Sequence, residues 1–299
     1  LVKELREKSG AGMMDCKMAL SENDGSIDQS IDWLRAKGIT KAAKKSDRIA
    51  SEGLIGTLIE QGSATMVELN AETDFVARNE EFQSLLRDIL QISLHNDNVE
   101  SAQFKDTGRT VSEEINEKIA TIGENIMLRR AVKYENIKDE HIFSYTHNSV
   151  ADSLGKIGVL VAIKSKGNAD HLTELGKGLC MHIAATNPLA LSSSEISAEL
   201  IEREKQIAIE QARDSGKPEN IIEKMVEGRI KKFTEENALL SQIFVIDGET
   251  KISKLLETKS NELKDDILVT RFVRMQLGDG IEKKADDFAS EVAAAVGKN

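Results

Sequence analysis

Asp74 and Phe75, within "LNAETDFVARNEEF" (residues 69–82), place a carboxylate and a large aromatic at the tip of a strand-to-helix turn. Aromatic residues make up only 4% of the chain, so a phenylalanine at such a tip needs a reason. Its ordinary reading is a hydrophobic staple for the helix that follows. The remaining residues with chemical potential are dispersed. Five histidines are scattered along the chain. His182 lies on a helix whose other face is apolar and reads as a satisfied core or rim histidine rather than a base, while His147, at a strand end, is available for a contact surface. Glu113 and Glu114 read as helix-start charges that complement the dipole. Cys16 and Cys180 are solitary and form neither a disulfide framework nor a zinc pattern. There is no G-x-x-x-x-G-K-S/T, no G-x-G-x-x-G after a strand, no G-x-S-x-G and no H-E-x-x-H. No nucleophile–base pair assembles, and no metal or cofactor site is expected. The pattern points to a protein that works by binding.

The elements that must hold these residues follow from hydrophobic periodicity. Residues 1–38 predict three short helices, the first stopped by "SGAG" at 9–12, the second over Met13–Asn23 with Cys16, Ala19 and Leu20 inward. The third opens on a capping box, Ser26-x-x-Gln29, carries Ile27, Ile31 and Leu34, and ends with Gly38 as its C′ residue. "KAAKKSDR" at 41–48 reads as a solvated basic connector. Residues 52–95 predict a hairpin around Gly62, running through Val67, Leu69 and Ala71, and then a helix from near Asn79 with Phe82, Leu85, Leu86, Ile89 and Ser93 in one stripe. A second helix over about 112–122 ends at Gly123, and "NIMLRRAVKY" is a strand. The same order of elements recurs from about 141, without a residue-level repeat. "HIFSYTH" and "KIGVLVAIKS" are strands joined by "NSVADSLG", and a helix over 170–185 stops before Asn187-Pro188.

Residues 197–236 differ in kind. They predict two charged helices broken at Gly216, with Leu200, Ile201, Ile207 and Ala208 facing Ile222, Met225, Val226 and Phe233 along a narrow seam, as in a protruding antiparallel helical hairpin. "SQIFVID" and "ILVTRFVRMQL" read as strands, and "DDFASEVAAAV" as a closing helix. The fold class is α+β, helices covering antiparallel sheets. The division expected is a three-helix module at 1–40, a linker at 41–51, core subdomains at 52–138 and 139–278 with the hairpin 197–236 inserted in the second, and a C-terminal module at 279–299.

Composition bounds the function. Forty per cent hydrophobic and 30% charged residues are those of a soluble globular protein. No apolar run reaches the roughly 18 residues of a membrane span, and no signal-peptide core opens the chain, so a cytoplasmic location is expected. The chain begins at Leu1 without a methionine, so a true start outside this sequence is an expectation. The net charge of −11 argues against direct nucleic-acid binding, which needs a basic face. Residues 1–50 carry +2, so the other 249 carry −13; a near-neutral head on an acidic body is consistent with separate modules.

"LVKELREKSGAGMMDCKMAL", "ETDFVARNEEF", "TIGENI", "YTH" with "KIGVLV", "MHIAA" and "GKPENIIEKMVEGRIKKF" resemble, in order and almost end to end, the bacterial elongation factor Ts family. The resemblance implies a guanine-nucleotide exchange factor for elongation factor Tu, in its GDP-bound and nucleotide-free forms, with no covalent catalysis. It further implies a ubiquitin-associated-like three-helix module, two α+β core subdomains, a coiled-coil hairpin and a C-terminal helical module. Assembly as a homodimer or heterotetramer through the core and hairpin is part of the same expectation. Carried over residue by residue, the turn Thr73, Asp74, Phe75 and Val76 would reach the partner's magnesium site, and Arg6, Met13, Met14, Ile122 and His147 would contact the partner. Met13 and Met14 are alternatively helix core, although adjacent residues point about 100° apart and cannot both sit centrally on one narrow face. "NSVADSLG", beside His147, is longer than the family's tight glycine turn. Two other classes stay open: an adaptor that binds peptide or ubiquitin-like partners without affecting nucleotide release, and a hydrolase or transferase, for which the missing nucleophile–base pair leaves little room.

Overall fold

The computed structural model describes residues 1–9, 11–213 and 218–282. The closing helix at 286–296, most of the expected 279–299 module, and the hairpin break at Gly216 lie outside the described residues. The chain divides into two units. One comprises Leu1–Leu54, Val67–Ala131 and the chain from Gln276; the other comprises Ile55–Met66 and Val132–Met275.

The first unit begins with α1 (Val2–Ser9), α2 (Met13–Glu22) and α3 (Ile27–Ala43). Leu5, Cys16, Ala19 and Leu20 are buried together, with Ile27, Ile31, Trp33 and Leu34 packed against them. Ser26 Oγ accepts from the Gln29 N–H at 3.4 Å. Gly38 does not end α3. The helix continues to Ala43, because this stretch packs along α6 (Val111–Ile122), a Cβ built on Gly38 lying 3.5 Å from that of Ala120. Tertiary packing there outweighs the roughly 1 kcal/mol that an interior glycine costs a helix. The first residues of the expected basic connector are consequently helical.

β1 (Glu52–Glu60) and β2 (Ser63–Ala71) form the expected hairpin. Its two-residue turn, Gln61-Gly62, has φ of 50° and 82°, the left-handed pair that matches strand twist. These strands, with β3 (Ile126–Tyr134) and β5 (Leu154–Gly155), make a sheet of order β3-β2-β1-β5. The sequence of β2 alternates, yet every residue from Ala64 to Ala71 is buried, Glu68 and Asn70 included. A buried carboxylate must be compensated. Glu68 accepts from Arg130 Nε at 2.6 Å, Arg129 Nη1 at 3.0 Å and the Gly278 N–H at 2.9 Å.

After β2 come α4 (Asp74–Ala77) and α5 (Glu80–His95). Asn79 caps α5, accepting from the Glu81 N–H at 2.7 Å, and Phe82, Leu85, Leu86 and Ile89 are buried as the stripe predicts. At about 1.5–3 kcal/mol for each fully buried large apolar side chain, that stripe carries the helix. Helix α6 starts with a capping box between Thr110 and Glu113 and stops at Gly123, φ 92°. The hydrogen bond from the Thr110 N–H holds the Glu113 carboxyl below its usual range, with Arg35 assisting. Glu113 is thus a cap, more than a dipole charge.

In the second unit, β4 (Glu140–His147) pairs antiparallel with β6 (Ile157–Lys164), from Glu140 opposite Lys164 to His147 opposite Ile157. With β7 (Leu268–Gln276) they form a sheet of order β4-β6-β7. Helix α7 (Thr173–Thr186) packs against β4 so closely that a Cβ on Gly176 would fall 2.2 Å from the Phe143 ring. It ends at Asn187, whose φ is 47°. Val159, Val161 and Ile163 of β6 share a core with Leu175, Leu179 and Ile183 of α7. "NSVADSLG" is more than a connector: Leu154 and Gly155 pair antiparallel with Gly56 and Ile55.

Helices α8 (Ala198–Arg213) and α9 (Glu219–Asn237) pack along each other through Ala208, Ala212, Ile222 and Val226. Ile201 and Phe233 join a second cluster with Ala190, Ile196 and Ala238. Leu200, Ile207 and Met225, expected in the seam, are exposed. "SQIFVID" is not a strand. Its backbone closes on itself, the Phe244 N–H donating to Thr250 O and the Gly248 N–H to Phe244 O, while Phe244 is buried. The sequence reading also missed α10 (Ile252–Leu263), whose Ile252 and Leu256 are buried. Among the described residues, no helix is long and apolar enough to cross a membrane.

Candidate partner-binding site

Where β2 ends, Thr73 is extended (φ −126°, ψ 158°) and acts as the N-cap residue of α4, but its side chain makes no cap bond. Instead the Thr73 hydroxyl donates to Glu124 Oε1 at 2.7 Å, and the Thr73 N–H donates to Glu124 Oε2 at 3.0 Å. One residue earlier, Glu72 Oε1 accepts from the Asn125 N–H at 2.6 Å and sits 3.4 Å from Arg48 Nη1. Asn125 Nδ2 in turn donates to Arg48 O at 2.7 Å.

This frame carries the turn. Val76 and Ala77 are buried beneath it. Asp74 is part exposed and paired with Arg78 at 3.2 Å, one helical turn on. Phe75 is 77% exposed, which excludes the staple reading, since a staple must pack. A cleft of about 640 Å³ opens beside it, lined by Phe75, Val76, Ile122, Lys8, Arg109 and Glu117 among others. Burial pushes the Glu117 carboxyl up, an effect that Arg109 opposes and Glu114 reinforces.

The first unit therefore brings Phe75, Val76 and Ile122 to one cleft. Met13 and Met14, at the start of α2, are 60% and 72% exposed, so neither is helix core. Arg6, on α1, is exposed as well. His147 belongs to the second unit. It is exposed at the end of β4, with Nδ1 3.0 Å from the Tyr145 hydroxyl. His182 is fully buried. Its Nδ1 accepts from the Val245 N–H at 3.2 Å and its Nε2 lies 2.9 Å from Gln242 Oε1, the satisfied core histidine that the sequence predicts. Burial holds its pKa below the ordinary imidazole value, against the Gln242 hydrogen bond. Both cysteines are free and buried, and burial pushes the Cys180 thiol up. Among the described residues, no group of three or more His, Cys, Asp or Glu side chains is arranged to hold a metal ion. The residues that sequence reasoning missed are Glu72 and Glu124. The available signal was a glutamate directly flanking each of the strings "TDFV" and "IG".

Residues 72–279 match the family model described as elongation factor TS. The chain is 54% identical over 298 residues to elongation factor Ts of Allorhizobium ampelinum, covering 98% of this chain and 96% of that one. It is 51% identical to that of Sphingopyxis alaskensis (99% and 97% covered) and 50% identical to that of Rhodospirillum centenum (99% and 98%). The chain belongs to the elongation factor Ts family. The family match includes the turn Thr73–Val76, the Ile122–Asn125 segment and His147, whereas α1–α3 are covered by the full-length relatives alone.

Proposed function

We propose that this member of the family is a guanine-nucleotide exchange factor. It binds elongation factor Tu·GDP, disturbs the magnesium and phosphate site of that partner, and promotes GDP release in translation elongation, making no covalent bond. The observation that carries this reading is the Phe75 ring, exposed on a turn whose backbone is hydrogen-bonded in place. Magnesium demands near-ideal octahedral geometry and bridges protein oxygens to nucleotide phosphates. A partner expels nucleotide by disturbing those groups, without binding the nucleotide itself. Phe75 supplies the wedge and Asp74 the hydrogen-bond acceptor, with Thr73 and Val76 completing the turn. Exchange is then a coupling free energy: if the factor weakens nucleotide binding, nucleotide weakens factor binding by the same ratio.

Arg6, Met13 and Met14 on a ubiquitin-associated-like module, with Ile122 and His147 in the two core subdomains, supply contacts to the partner. Polarisable methionines suit an adaptable contact surface. Helices α8 and α9 serve as a protruding coiled-coil hairpin, its exposed Leu200, Ile207 and Met225 offering a surface for a second copy or for the partner, in a homodimer or heterotetramer. Replacing residues 197–236 by a short Gly/Ser turn is expected to leave the core folded and to change either the mass by light scattering or the affinity for the partner; both unchanged would remove this role. The protein acts in the cytoplasm, with no cofactor and no direct nucleic-acid contact. The test is release of labelled GDP from purified elongation factor Tu. Acceleration by catalytic amounts of the protein is expected, and tight binding with unaltered release would make it an adaptor.

A further inference from the structure

We infer that Glu72 and Glu124 are positioning residues, a reciprocal pair of carboxylates that locks the Thr73–Val76 turn to the Ile122–Asn125 segment. Phe75 and Ile122 are thereby presented as one surface. β2 ends at Ala71 and β3 begins at Ile126. Just past those ends backbone pairing gives way to side chains, and the bonds cross: Glu124 takes both the N–H and the hydroxyl of Thr73, and Glu72 takes the N–H of Asn125. Each glutamate sits beside the residue that the other one holds. Thr73 makes the point most sharply. An N-cap threonine ordinarily accepts from a backbone N–H of its own helix, and here that bond is absent, the hydroxyl being committed to Glu124. The local stability of a four-residue helix is given up for a tie to another part of the chain.

The tie has a use for a protein that works by wedging. A free turn would pay conformational entropy each time it docked, and misplacing a group by about 1 Å can cost about a hundredfold in rate. Ionised acceptors make shorter and stronger hydrogen bonds than neutral ones, so two carboxylates on main-chain donors are a stiff way of setting the height of Phe75. Lys45 Nζ also donates to Gly123 O and Asn125 Nδ2 to Arg48 O, so the chain that follows α3 buttresses the same segment.

This inference rests on the exchange reading, and the experiment separates the two. GDP release from elongation factor Tu is followed against factor concentration, giving a saturated rate and a half-maximal concentration. If the parent protein does not accelerate release, the exchange reading itself fails. If it does, Glu124→Ala is expected to lower the saturated rate about tenfold while the half-maximal concentration stays within about threefold, the split expected when a group is misplaced rather than lost. Glu124→Gln, which keeps an acceptor oxygen, should lose less. In a Phe75→Ala background the Glu124→Ala change should add less than about twofold, because both act through one ring. A parental saturated rate, a change confined to half-maximal concentration, or a full loss persisting without Phe75 would overturn the assignment. Should Glu124→Ala not fold, Thr73→Val and Thr73→Ser carry the test: both keep the main-chain bond to Glu124, serine also retains the hydroxyl's bond and valine removes it, so serine near parental and valine slower is expected. Equal rates would overturn it.

Discussion

Phe75 and Phe82 stand on consecutive helices of the same unit, seven residues apart, and are used in opposite ways. Phe82 lies at the head of the α5 stripe and is wholly buried, with Leu85, Leu86 and Ile89 following at helical spacing. Phe75 stands on α4 with 77% of its surface exposed, while its neighbours Val76 and Ala77 are buried. The second unit repeats the contrast with histidines: His182 is buried with both ring nitrogens engaged, and His147 is exposed at a strand end. In each pair one residue is spent on folding and its counterpart stays exposed, where the contact role proposed above would place it. Exposure of a large ring costs the free protein apolar burial that its partner can recover.

The largest expected effect separates the phenylalanines by stability. Phe82→Ala should cost about 3–5 kcal/mol in denaturant unfolding, the range for a buried phenylalanine, while Phe75→Ala should stay within about 1 kcal/mol of the parent. Similar losses for both would break the comparison. The histidine pair is sharpened by acid. His182 titrates below its unfolded value of about 6.5, so between those two values the unfolded chain holds a proton that the fold does not. Stability present above about pH 6.5 is therefore lost as pH falls toward the folded value. His182→Gln should flatten that part of the stability–pH curve, measured by urea midpoints between pH 5 and 7. A slope identical to the parent's would assign the acid sensitivity elsewhere. The smallest effect concerns Asp74→Ala, which should slow assisted GDP release only a few-fold and chiefly when Mg²⁺ is abundant. Adding a chelator should close the gap with the parent; a gap that persists would detach Asp74 from the ion.

Much of the fold was legible because local chemistry and tertiary need agree. Gln61-Gly62 supplies the left-handed turn that a hairpin requires, and Thr110 with Glu113 marks the start of α6 before any packing is known. The errors fall where distant contacts decide. Gly38 resembles a helix stop, yet α3 runs on because it lies against α6. "SQIFVID" has strand composition, but its Phe244 N–H is satisfied by Thr250 within the same loop and its Val245 N–H by His182, and α10 behind it lacks a side-chain cap that would announce it. Glu68 and Asn70 alternate with apolar residues as solvent-facing positions do, and it takes the arginines of β3 and the distant Gly278 N–H to make Glu68's burial tolerable. At the candidate site, the turn and its aromatic were visible from spacing. Glu72 and Glu124 were not, because the bonds that define them join segments about fifty residues apart.

The central claim is that the exposed Phe75 ring acts on the partner while nucleotide is being expelled. It is tested most directly by the rate of labelled GDP release from elongation factor Tu at saturating factor, comparing Phe75→Ala with the parent. The saturated rate should fall by about tenfold or more, while the variant's unfolding midpoint stays close to the parent's, since the interaction lost is made mainly at the barrier. A Phe75→Ala protein that is several kcal/mol less stable yet drives release at the parental rate would show that the ring serves the fold.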